Sequence, residues 1–215
     1  TLSERGYFAR PGETTRGLNQ AGLAFTCAMI IEDETIPRDK SASNFADLTE
    51  KILKECLTIE DAISIFEIAQ KVNPAYTILL ADAQGGLAQL EVGNYGISVN
   101  HVYSKEKPGI VFSVNCYVSE LLKKFNAPHT DLLYEENNNK VRLSRGRQLS
   151  QDFEGHINVF SVSKILSDHA NNDLNPLNNP ILEGWGYSIC NHGTKYQDNY
   201  LYENLPWGTV SAEII

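Results

Sequence analysis

The sequence is short of paired cysteines, of basic charge and of long apolar runs, and each shortage closes off a class of function. Its four cysteines, at positions 27, 56, 116 and 190, form no CxxC and have no histidine at ligand spacing, so a zinc site is unsupported. A chain of 215 residues buries enough core to stand without a disulfide framework. Cys27 and Cys56 lie in apolar runs, where a small buried hydrophobe is expected. Eighteen Lys and Arg face 27 Asp and Glu, a net charge of −9, and that field repels phosphate backbones. The basic cluster from Lys140 to Arg147 is too short to reverse this, and no nucleic-acid partner is expected. No apolar run approaches the roughly 20 residues of a membrane helix, and no membrane partner is expected. GxxxxGK[ST] is missing as well, so nucleotide binding has no support. No signal peptide is legible in the residues given, which leaves the compartment open.

What is present is ordinary globular material, 42% hydrophobic and 21% charged. "GETTRGLNQAGLAFT" (residues 12–26) reads as two short strands around a glycine turn, and "AGLAFTCAMII" as a strand buried on both faces. Phe45, Leu48, Ile52 and Cys56 then recur at helical spacing behind a Ser43 or Asn44 cap. Thr58 opens a second helix with a T-x-x-D capping box, an apolar stripe of Ile59, Ile63, Phe66 and Val72, and an end at Asn73-Pro74. "AYTILLAD", "AQGG" and "LAQLEV" make a hairpin, and "YGISVNHVY" and "GIVFSVN" read as further strands. A short helix is expected over "YVSELLKKF", a polar loop through "NAPHTDLLYEENNN", and helices over "KVRLSRGRQLSQDF" and "SVSKILSDHA". Helices that come in pairs between groups of strands argue for an α+β layered fold in one domain spanning 1–215, not a doubly wound parallel sheet.

Several of these stretches occur in an order that resembles the acyl-coenzyme A:6-aminopenicillanate acyltransferase family of N-terminal nucleophile (Ntn) hydrolases, relatives of the choloylglycine hydrolases. "GLNQAGLAFT" resembles its G-[LFI]-N-x-x-G-[LV]-[AG] hairpin, "LTIEDAISIFEIAQ" its [ST]-x-x-[ED]-A helix, and "AYTILLADAQGGLAQLEV" its strand pair ending in a glutamate. "FSVNCY" resembles the segment carrying its oxyanion Asn, "VRLSRGRQL" its R-x-x-R helix, and "YSICNHG" with "WGTVSAEII" its late strand pair. The resemblance implies an αββα four-layer sandwich with two antiparallel sheets. It also implies a catalytic Cys, exposed by self-cleavage, on strands upstream of this hairpin, and a closing strand beyond Ile215. Neither segment stands in this sequence, so a separate N-terminal chain of the same precursor is an expected partner. Thr1 is the alternative nucleophile, since a terminal Thr carries its own amine as base. Its place falls well past the family's nucleophile position, and a processing boundary is the plainer reading.

Amide cleavage by such a nucleophile needs a base, donors for the developing oxyanion and a pocket for the acyl group. By resemblance Asn115 supplies the oxyanion donor. Read on residue type alone, it ends a strand and caps the helix after it. Arg142 and Arg145 lie three apart on one helical face, and either suits a carboxylate by its bidentate fork. Arg142 is favoured for the catalytic role and Arg145 for substrate binding, against a solvated basic face as the structural alternative. Asn191 stands where many relatives carry arginine in R-H-G, and is taken as substrate-binding. Cys27 and Ala28 stand where relatives commonly place an Asn soon after the hairpin. Asn19 reads as a turn residue that tolerates positive φ, His192 as a loop residue, and Glu91 as either buried and paired or exposed.

These residues lead to an amide hydrolase or acyltransferase acting through a covalent acyl-enzyme on a small N-acylated amine or amino acid. No metal or organic cofactor is implied, and the acidic balance favours a neutral or cationic small-molecule amide substrate. A dipeptidase or bile-salt-type amidase of the same superfamily is the second enzymatic reading. A non-catalytic binding protein that keeps the scaffold is the rival from another class, and Ala28 and Asn191 suit it. A homo-oligomer is compatible with all three.

Overall fold

The computed structural model describes residues 2–4, 14–127, 135–153 and 156–168. The chain divides at Pro128/His129 into two compact units, each described by itself.

The first unit is built on one antiparallel sheet of six strands: β1 (Leu2–Glu4), β2 (Arg16–Leu18), β3 (Ala24–Met29), β6 (Tyr76–Ala81), β7 (Leu87–Gly93) and β8 (Gly96–Tyr103), adjacent in that order. A parallel pair, β4 (Ser43–Asn44) with β5 (Val72–Asn73), brackets helices α1 (Phe45–Glu55) and α2 (Ile59–Ala69). The apolar stripes of the helices meet one face of the sheet. Phe45, Ile52, Ile59 and Phe66 pack with Leu23, Phe25, Tyr76, Ile78, Leu80, Leu90 and Val92, all nearly inaccessible. The Phe45 ring lies on Tyr76 with centroids 4.0 Å apart, an aromatic contact that adds to the area it buries. This is the α+β class read from the sequence, with a helical layer on an antiparallel sheet as in an αββα sandwich.

Local chemistry explains where the elements start. Asn44 accepts from Ala46 N and caps α1. Thr58 and Asp61 form the expected reciprocal capping box of α2, although Asp is shorter than the usual Glu. Asn19 is nine-tenths buried. Its Oδ1 accepts from Ala21 N and Leu23 N while its Nδ2 donates to Cys56 O at 2.7 Å. It therefore closes the β2–β3 turn by side-chain hydrogen bonds, and the positive φ in that turn belongs to Gly22, not to Asn19.

Five expectations are corrected. The second helix stops at Ala69, where Gln70 turns to φ 60°, and Asn73-Pro74, a cis bond, lies beyond it at the junction of β5 and β6. Val72, placed on the helical stripe, is buried in β5. The strand at "AGLAFTCAMII" is buried at Ala24 and Phe25 but opens towards Met29, which is 40% exposed. "GIVFSVN" joins no ladder, and "YVSELLKKF" forms no α-helix. Only its last three residues, Lys123–Phe125, form a 3-10 turn. The reason is that side chains capture the backbone groups a helix would use. Glu91 takes the N–H groups of Val118 and Ser119, and Asn126 takes both N–H and C=O of Tyr117.

The thiol of Cys56 lies in this core, and burial, with the charges of Asp61 and Glu55, pushes its pKa from 9.0 up to about 11. A value raised by folding stabilises the fold fully below the unfolded pKa, and that contribution is lost as pH climbs through the folded one. The Cys56 contribution to stability against urea should therefore be constant up to about pH 9 and fall between about 9 and 11, with Cys56→Ala flattening that part of the curve. Midpoints measured across this range for both proteins check it, and parallel curves would refute the assignment.

The second unit holds α3 (Glu135–Asp152) and α4 (Val159–Leu166). The first turn of α3 reaches back into the stretch expected as a polar loop. Asn158 caps α4, with Ser161 closing a capping box.

Candidate active site

The segment from Val114 to Asn126 is fixed to the face of the sheet turned away from α1 and α2. Thr77, Glu91 and Ser98 form one transverse row across β6, β7 and β8. Thr77 Oγ1 donates to Val114 O at 3.2 Å. The Glu91 carboxylate, fully buried, accepts from Val118 N at 2.7 Å, from Ser119 N at 3.1 Å and from the Ser119 hydroxyl. A second buried carboxylate, Glu32, accepts from the Tyr117 hydroxyl at 2.7 Å and from Asn94 N at 2.9 Å. Burial, reinforced by this hydrogen bond and by the charges of Glu32 and Glu91, holds the Tyr117 phenol well above its ordinary pKa. The phenol passes over Gly93, where a Cβ would occupy the space of its oxygen.

Asn115 is carried between these anchors, with Val114 tied on one side and Tyr117, Val118 and Ser119 on the other. Its side chain is exposed, and its Nδ2 donates to Met29 O at 3.1 Å. The helix that it would cap under the structural reading does not form, so that reading falls. An amide displayed at the end of a clamped loop can donate to a carbonyl oxygen as negative charge grows there.

The arginines belong to the second unit. Arg142 donates to Asn139 Oδ1 at 2.7 Å. Arg145 makes a bidentate pair with Asp168, Nε to Oδ2 at 3.0 Å and Nη2 to Oδ1 at 2.8 Å, and also donates to Gln148. Both members of that pair are largely buried, so the guanidinium fork ties α3 to the end of α4. A hollow of about 430 Å³ on α3 is lined by Lys140, Leu143, Ser144, Arg147, Gln148 and Gln151, with neither Arg142 nor Arg145 in its wall. Asn191, His192, Cys190 and Thr1 lie outside the described residues. Cys27 donates its thiol to Thr15 O at 3.0 Å. Among the described residues no group of three His, Cys, Asp or Glu could hold a metal ion.

Sequence reasoning missed Glu32, Gly93, Tyr117 and Asn126 as parts of this clamp. Glu32 opens the run "EDE", which reads as a solvated acidic turn. The available signal was Glu91, a carboxylate inside an apolar hairpin, which calls for donors from elsewhere.

No curated protein matches the chain. Among solved structures, the penicillin V acylase from Agrobacterium tumefaciens is similar, at 20% identity and a TM-score of 0.37 over 74% of this chain. The chain spans 45% of that protein's length. The family model of acyl-coenzyme A:6-aminopenicillanic acid acyl-transferase matches residues 1–203, nearly the whole sequence. The chain belongs to that family.

Proposed function

We propose that this chain is part of an Ntn amide hydrolase or acyltransferase that cleaves the linear amide of a small N-acylated amine or amino acid through a covalent acyl-enzyme. The observation that carries the reading is the family match across residues 1–203. The nucleophile in this reading is a Cys supplied by polypeptide outside these 215 residues, with its own α-amine as base. Its sulfur attacks the amide carbonyl, the C–N bond breaks, and the departing amine takes the proton held by the α-ammonium. Water or a second amine then attacks the thioester and frees the thiol. Asn115 donates to the carbonyl oxygen as it becomes an oxyanion. Arg142 orients the nucleophile or a substrate carboxylate. Arg145 and Asn191 bind the substrate, a substrate carboxylate competing with Asp168 for the Arg145 fork.

The test is mass spectrometry on the natural full-length product, followed by incubation with N-acyl-7-amino-4-methylcoumarins of graded acyl length. Self-cleavage that exposes an N-terminal Cys, with a transient mass increase of one acyl group on it, is expected. An uncut product with no Cys, Ser or Thr at its start and no release of the coumarin would overturn the reading in favour of a binding protein.

A further inference from the structure

We propose that Glu91 is a positioning residue for Asn115, setting through the Val114–Ser119 segment where the Asn115 amide stands. The proposal rests on the reading of Asn115 as the oxyanion donor. Glu91 occupies an interior strand and is fully buried, and among the described residues no ion pair involves it. A carboxylate there costs desolvation that an apolar residue of similar size would not, so hairpin stability alone does not call for it. The three hydrogen bonds it accepts among the described residues all come from Val118 and Ser119, three and four residues past Asn115. Its cross-strand partner Thr77 binds Val114 O, one residue before Asn115. One row of the sheet thus grips the chain on both sides of the exposed amide. On the Val118–Ser119 side the bonds go to a carboxylate, and such bonds are shorter and stronger than a neutral one like that from Thr77 to Val114 O.

The capture of two adjacent N–H groups also sets the backbone path. The residues after Ser119 attempt a helical turn, with Leu122 N and Lys123 N both directed at Ser119 O. Without the carboxylate, the N–H groups of Val118 and Ser119 would be released to water, and the loop would keep Tyr117 as an anchor on that side but lose the two that follow it. A misplacement of about 1 Å in a catalytic constellation can cost on the order of 100-fold in rate.

The experiment uses the full-length protein and an N-acyl-7-amino-4-methylcoumarin as probe, with Glu91→Ala, Glu91→Gln, Asn115→Ala and the Glu91→Ala/Asn115→Ala double variant. Glu91→Ala should lower kcat about 10- to 100-fold with KM changed less than about threefold. Glu91→Gln keeps one acceptor oxygen and should fall between it and the parent. In the double variant the two losses should not multiply, because Glu91 acts only through Asn115, and the rate should match that of Asn115→Ala within about threefold. Should Glu91→Ala fail to fold, Ser119→Ala removes one of the three bonds and should cost kcat only where Asn115 is intact. An Asn115→Ala protein with parental turnover would sink the oxyanion reading and this proposal together. A slow Asn115→Ala protein beside a Glu91→Ala protein of parental kcat, or fully multiplying losses in the double variant, would sink the positioning role alone.

Discussion

Replacing Asn115 with Ala in the full-length protein should lower kcat for amide cleavage by about 10²–10³ while leaving KM within a few-fold. The size follows from what one donor in an oxyanion hole supplies. It is a hydrogen bond that strengthens as charge develops on the carbonyl oxygen, worth about 2.7–4 kcal/mol in the transition state and far less in the ground state. The loop is not expected to collapse, since Val114, Tyr117, Val118 and Ser119 keep their anchors on Thr77, Glu32 and Glu91. The bond to Met29 O that is lost lies at an exposed site, and such a bond is worth about 1 kcal/mol. Steady-state kinetics beside a thermal melt separate the two effects. A variant with parental turnover, or one whose melting point collapses along with its activity, contradicts the assignment.

Gly93→Ala should cost about 3–5 kcal/mol of stability, a fall in Tm on the order of 10 °C. Gly93 is not among the glycines with positive φ, so its backbone conformation admits alanine and the effect is purely one of space. The added methyl would overlap the Tyr117 hydroxyl and Glu32 Oε1. The phenol would have to withdraw, which removes a charge-assisted bond from a buried carboxylate and leaves it with Asn94 N. Overpacking and the broken bond therefore add. Combining Gly93→Ala with Tyr117→Phe takes away the clashing oxygen, and the double variant should be less destabilised than the two single losses summed. Calorimetry on the four proteins checks this. A Gly93→Ala protein that melts within a degree or two of the parent would show that the phenol does not sit over this strand.

The helical layer was legible because its determinants are local. Phe45, Ile52, Ile59 and Phe66 announce their faces by spacing, and Asn44 and Thr58 announce the helix starts by the donors they satisfy within three residues. The β6–β7 hairpin was legible for the same reason, its turn chemistry lying between two apolar strands. Reading failed at "GIVFSVN" and "YVSELLKKF", where apolar pattern and helical spacing are both present and neither element forms. There the contest is settled by Asn126, nine residues from Tyr117, and by Glu91, Thr77 and Glu32, which lie 27 residues or more away and beyond the reach of any local rule.

The sequence by itself determined the α+β class, the helix caps, the hairpins and the family, because each rests on short-range pattern or on an order of motifs that survives without coordinates. Only the tertiary structure decided how Asn115 is held. A buried carboxylate has no signature in sequence beyond its own presence, and the backbone N–H groups that neutralise it are common to every residue. Which of them arrive, and from where, depends on the chain being folded.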